Sequence, residues 1–138
     1  MLAQMSIGMT LIFFTICILA GFIALAIALL DHGKGWATRP PKSVKASIII
    51  GGTTLWLMAA HSLAVWLWAA AFLALGIFED IETSVYFSGV AFTTLGFGDI
   101  IPPEAWRQLA GLCATNGLLV FGVSTAFLAD TLRRLREG

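Results

Sequence analysis

Hydrophobic and polar positions fall along this chain in long blocks. Ile7 to Leu30 is 24 residues without a charged side chain, about 36 Å as a helix and enough to cross a bilayer with some tilt. The run is too long, and Met1 to Ser6 too free of positive charge, for a cleaved signal peptide. Asp31 to Lys45 breaks the pattern, and its Gly33, Gly35, Pro40 and Pro41 predict a loop. Ala46 to Phe78 is a second run, 33 residues in which only His61 titrates near neutral pH. At about 50 Å of helix it exceeds the hydrocarbon, so it must tilt or begin outside, with Gly51 and Gly52 marking a candidate bend. Ile81 to Thr93 is an apolar stretch of only 13 residues, short of the ~20 that a span needs. It reads as a buried core helix or a re-entrant half-helix. Pro102, Pro103 and Glu104 then signal a helix start, and Leu109 to Ala129 is a last apolar run of 21 residues.

Composition changes this from a list of helices to a class. The chain has 138 residues, 59% hydrophobic and 12% charged, whereas a soluble domain carries about 25% charged residues. The expected fold is an all-α membrane protein with three transmembrane helices and one re-entrant hairpin, a multi-pass protein of the cell (inner) membrane. Charge placement predicts its direction. Lys34, Arg39, Lys42 and Lys45 share one loop, Arg133, Arg134 and Arg136 share the end, and Glu79, Asp80 and Glu82 cluster between. By the positive-inside rule the N-terminus is outside, the basic loop inside, the acidic cluster outside and the C-terminus cytoplasmic. Arg107 is the only basic residue on the predicted outer side. The partner this surface implies is the lipid bilayer and not nucleic acid, since no basic face is large enough.

The same inventory excludes other functions. Ile7 to Leu30 lacks the spaced arginines of a voltage sensor, and this helix is expected to pack beside the rest of the chain or a neighbouring subunit. No large cytoplasmic regulatory domain is expected after Asp130. Cys17 and Cys113 fall inside apolar runs and read as small hydrophobes. No nucleophile–base pair, metal-ligand cluster or phosphate loop stands out, so no enzyme and no cofactor are expected.

The polar island is Thr94 to Asp99, reading TLGFGD, with Thr93 just before it. Its backbone groups need partners, and lipid offers none; ions satisfying its carbonyls would resolve this. Successive carbonyls of an ordinary strand alternate in direction, so a row facing one way needs residues at positive φ. Glycine reaches that region without steric cost, which accounts for Gly96 and Gly98 alternating with Leu95 and Phe97. A nucleotide-binding fingerprint would require a third glycine at Ile101 and a strand–turn–helix setting.

Thr93 to Asp99 resembles the signature of the potassium-channel pore family, and the resemblance runs from about Ala46 to Leu132. It implies an outer helix (46–78), a pore helix (81–93), a filter (94–99) and an inner helix (104–132). Residues 46–138 would form the pore domain, preceded at 1–45 by an extra helix and basic loop. Phe121, Gly122, Thr125, Ala126, Leu128 and Ala129 resemble the inner helix of bacterial two-helix channels, and Trp106 and Arg107 match residues common after the filter. The resemblance implies potassium ions bound by the carbonyls of Thr94, Leu95, Gly96 and Phe97, with Gly98 completing the filter. It implies support from Thr93, Asp99, Tyr86 and Phe87. One chain supplies one strand of such a filter, so a fourfold homotetramer is implied. Leu118, Phe121, Thr125 and Ala129 would face the cavity and inner mouth. Gly117 aligns with the family's gating-hinge glycine, and close helix packing explains a glycine there equally well.

The chain departs from the family pattern around the filter. Phe97 stands where Tyr is commonest, Leu95 where Val or Ile is usual, and Val90 where some bacterial channels carry a glutamate that pairs with the aspartate. Asp99 is therefore expected to accept a hydrogen bond from Tyr86 instead. Asn116 reads as an interhelical hydrogen bond and His61 as a satisfied buried histidine. Asp130 fits either a cation-concentrating acid or an end cap. The function implied is passive potassium conduction. A weakly selective monovalent cation channel and a non-conducting regulatory subunit are the alternatives.

Overall fold

The computed structural model describes residues 2–33 and 42–137. Within them lie four α-helices and no strand: α1 Leu2–His32, α2 Lys42–Ala74, α3 Ile81–Phe92 and α4 Arg107–Glu137. A single 3-10 turn, Glu104–Trp106, leads into α4. Three helices are long and apolar enough to cross a membrane: α1, α2, and α4 with its leading turn. Lys34, Gly35, Arg39, Pro40 and Pro41 of the expected basic loop lie outside the described residues.

The helix boundaries differ from the sequence expectation at both ends of α2 and of α4, and by one residue at the end of α3. Helix α2, expected as the outer helix, starts at Lys42 rather than Ala46 and ends at Ala74 rather than Phe78. The end is set by Gly76, which adopts φ 65°. Gly76 N–H donates to the Leu73 carbonyl at 2.9 Å and Ile77 N–H to the Phe72 carbonyl at 3.0 Å, the paired bonds of a Schellman cap. Ile77 and Phe72 are both buried beside that cap, so the apolar residues after Gly76 belong to the turn's core and not to the helix. Gly51 and Gly52 lie within an unbroken α2. Helix α4, expected as the inner helix over 104–132, starts at Arg107 after the 3-10 turn and runs to Glu137.

The short helix α3 starts at a strong local signal. Asp80 has extended backbone (φ −129°, ψ 158°) and its carboxylate accepts from Thr83 N–H and from the Thr83 hydroxyl, each at 2.7 Å. The first bond satisfies one orphan backbone donor of the first turn, and together they hold the Asp80 carboxyl below its ordinary range. An aromatic core then fixes α3 against α2. Phe87 lies 5.4 Å from Phe72 and 4.9 Å from Phe78, ring centre to ring centre, with Trp68 and Phe92 fully buried nearby in the same core.

Helix α1 is apolar all round, so its buried face is chosen by shape. Gly8, Leu11, Thr15, Leu19 and Ala26 turn inward, mostly small residues that permit close approach, as membrane helix contacts favour. A methyl on Gly8 would overlap the Leu112 side chain of α4. Gln4 ties α1 to the start of α4: its amide donates to the Ala105 carbonyl and accepts from Leu109 N–H at 3.3 Å. The start of α1 and the start of α4 therefore lie at the same end, together with the segment that joins α3 to α4.

Candidate functional site

The hexamer leaves α3 through a hydrogen-bonded foot. Thr93 N–H donates to Gly89, Thr94 N–H to Ala91 and Leu95 N–H to Val90, at 3.0, 2.9 and 3.0 Å. The Thr93 hydroxyl donates back to the Gly89 carbonyl at 2.7 Å. The end of the short helix is thus capped by Thr93 and the first residues of the hexamer, which fixes where the strand begins.

Beyond the foot, φ alternates in sign. Thr94, Gly96 and Gly98 sit at 60°, 57° and 77°, while Leu95 and Phe97 do not have positive φ. Glycine takes this region freely; a β-branched threonine does not, and such strain of order 1–3 kcal/mol persists only where the surroundings impose it. Thr94 is the one non-glycine residue at positive φ among the described residues. The glycine spacing points to Gly96 and Gly98 but not to Thr94, because threonine as a residue type argues against that conformation.

The upper end of the strand is tied back to α3. The Tyr86 hydroxyl donates to Asp99 Oδ2 at 2.6 Å, and Ile100 N–H donates to Asp99 Oδ1 at 3.1 Å. The Tyr86 bond draws the Asp99 carboxyl below its ordinary range and pushes the Tyr86 phenol above its own. This is the partner expected for an aspartate in a chain with Val90 in place of a glutamate. Phe87, grouped with Tyr86 as filter support, instead points into the aromatic core. Residues Thr93 to Asp99 are all exposed on the single chain. Leu95 and Phe97 are 58% and 66% exposed, large apolar side chains that the chain's own fold leaves uncovered.

The residues expected near the cavity lie along α4. Leu118, Thr125 and Ala129 are exposed, but the Thr125 hydroxyl donates to the Phe121 carbonyl of its own helix at 2.8 Å. Phe121 is half-buried, with its ring 6.0 Å from Phe92 and 4.5 Å from His61. His61 bonds Ser124 at 2.9 Å through Nε2, so one ring nitrogen is satisfied, while Nδ1 has no partner. Gly117 is pressed by the foot of α3. A methyl at Gly117 would overlap the Phe92 carbonyl oxygen and stand 2.7 Å from its carbon, so close packing by itself requires glycine there. Asn116 is fully buried and bonds Thr15 of α1. Asp130 is held by Arg133 and Arg134 at 2.8 and 2.7 Å, an end-of-helix ion pair. Arg107 pairs with Glu104 at 3.5 Å.

A family model described as ion channel matches residues 60–134, more than half of the chain. The match covers about half of α2, all of α3 and the hexamer, and nearly all of α4. The chain belongs to this ion-channel family, the pore type to which TLGFGD pointed, and is a multi-pass membrane channel protein rather than an enzyme. No curated protein and no solved structure gives a match.

Proposed function

We propose that this chain forms a potassium-selective channel, conducting passively through a pore made by four copies around one axis. The observation that carries the reading is the φ alternation at Thr94, Gly96 and Gly98. Alternating backbone handedness lets successive carbonyls face one side, whereas an extended strand sends them to opposite sides. The carbonyls of Thr94, Leu95, Gly96 and Phe97 are then the ligands that replace potassium's water, with the Thr94 hydroxyl innermost. Dehydration without such ligands would cost on the order of 20 kcal/mol by the Born estimate.

The copy number follows from ligand count: one strand cannot encircle an ion. The uncovered Leu95 and Phe97 side chains support neighbours on either side. In this reading α3 is a re-entrant pore helix, and the hexamer lies at the outer face. The N-terminus is outside and the C-terminus cytoplasmic in the cell (inner) membrane. Arg133, Arg134 and Arg136 support that direction; so does Gln4, which ties the start of α1 to the filter end of α4.

Reversal potentials of the purified protein in mixed potassium and sodium test selectivity. A reversal near the potassium equilibrium potential is expected. A value near zero under opposed gradients would replace potassium selectivity with weak monovalent cation conduction. A complex mass other than four chains would overturn the fourfold pore.

A further inference from the structure

Helix α1 lies outside the matched family segment, yet its most buried polar contact meets the pore at a sensitive point. Thr15 is 1% exposed and Asn116 is 0% exposed. Asn116 Nδ2 donates to Thr15 Oγ1 at 2.7 Å. The Thr15 hydroxyl proton is shared between the Ile12 carbonyl at 2.8 Å and Asn116 Oδ1 at 3.0 Å. The residue after Asn116 is Gly117, on which the backbone of Phe92 rests. The residues after Phe92 are Thr93 and Thr94, where the filter begins. A hydroxyl in the middle of α1 is therefore linked to the first filter residue through one side-chain bond and one backbone contact.

We propose that Thr15 and Asn116 are positioning residues for the filter: through them α1 holds α4 where Gly117 seats the foot of α3. A shift of α4 at this level displaces the Phe92 backbone directly, because no side chain intervenes at Gly117 to absorb it. The functional consequence of this clamp presupposes the channel proposed above, and the mechanical consequence does not. The other anchors of α1 are placed differently. Gln4 holds the outer end of α4, and Trp56 Nε1 donates to the Phe22 carbonyl at 2.9 Å, tying α1 to α2 alone. Trp56 thus supplies a contrast: a comparable α1 contact whose bond runs to α2 and does not involve Asn116 or Gly117.

The test compares Thr15→Val, Thr15→Ser, Asn116→Ala and Trp56→Phe with the unaltered protein. Amide hydrogen exchange of a peptide covering residues 92–98 is read alongside potassium current in bilayers. Thr93, Thr94 and Leu95 N–H groups bond the end of α3, so their exchange reports directly on the foot. Thr15→Val and Asn116→Ala should each speed exchange there by about threefold, the scale of an interhelical hydrogen bond in a membrane protein, and change open probability in the same measure. Thr15→Ser should restore both readouts, and Trp56→Phe should leave both unchanged. If Thr15→Val does not fold, Asn116→Ala carries the comparison. Exchange at residues 92–98 equal in all variants would overturn the clamp, as would equal acceleration by Trp56→Phe. Unaltered protein that carries no current would overturn the channel reading, while exchange still decides the clamp.

Discussion

The Tyr86 hydroxyl stands 2.6 Å from Asp99 Oδ2, joining the middle of α3 to the last residue of the hexamer. With the foot bonded at Thr93 to Leu95, the strand is held at both ends. Tyr86→Phe removes the upper tie while keeping the ring. Expected is a severalfold shorter conducting lifetime with assembly unchanged, measured by single-channel recording. Unaltered lifetimes would show that the upper end is held by other contacts.

The same bond gives a pH signature. It lowers the Asp99 carboxyl from its ordinary 3.8, so its support is complete above that value and is lost as pH falls through the lowered one. It raises the Tyr86 phenol from its ordinary 10.0, so support is complete below that value and is lost as pH rises through the raised one. The tie therefore holds across roughly pH 5 to 9. As the solution is acidified below about pH 4, the unaltered protein should lose thermal stability faster than Tyr86→Phe, which has no such bond to lose. Parallel pH curves for the two proteins would contradict this.

Gly117 and Gly122 separate packing from helix freedom. A methyl at Gly117 overlaps the Phe92 carbonyl, whereas one at Gly122 meets nothing within 4 Å. Gly117→Ala should destabilise by about 1–3 kcal/mol, as overpacking does, and should disturb the hydrogen-bonded foot of the hexamer. Gly122→Ala should be neutral or slightly stabilising in a helix. Thermal unfolding of both variants in detergent measures the difference. Equal midpoints would show that α3 and α4 separate easily at this contact.

The membrane-scale plan was legible because it rests on run length. The apolar blocks mark α1, α2 and α4, and the short block marks α3 to within one residue, Thr93 serving as its C-cap. Gly96 and Gly98 announce positive φ because glycine is the residue that takes it without strain. Other features are hidden for identifiable reasons. Ile77 and Phe78 continue the apolar run past Gly76, so composition does not show that the chain has turned. Asp80 reads as one of an acidic cluster, although aspartate three residues before Thr83 at the head of an apolar stretch is a capping signal. The inward face of α1 is invisible to periodicity, since all its faces are apolar. Thr15 is one hydroxyl in such a run, and its importance comes from meeting Asn116, which is 101 residues away in sequence. Asn116 itself was legible as an interhelical bond, because a buried amide in a membrane needs a partner.

The most direct measurement of the central claim is potassium flux down a gradient into liposomes containing the purified protein, beside Gly96→Ala. Gly96 sits at φ 57°, and a methyl there would meet nothing within 4 Å, so alanine strains the backbone without a clash. Flux in the unaltered protein, lost in a Gly96→Ala protein of unchanged assembly, is the predicted result. No flux from the unaltered protein at any pH or voltage tried, or undiminished flux through Gly96→Ala, would contradict conduction through the hexamer's carbonyls.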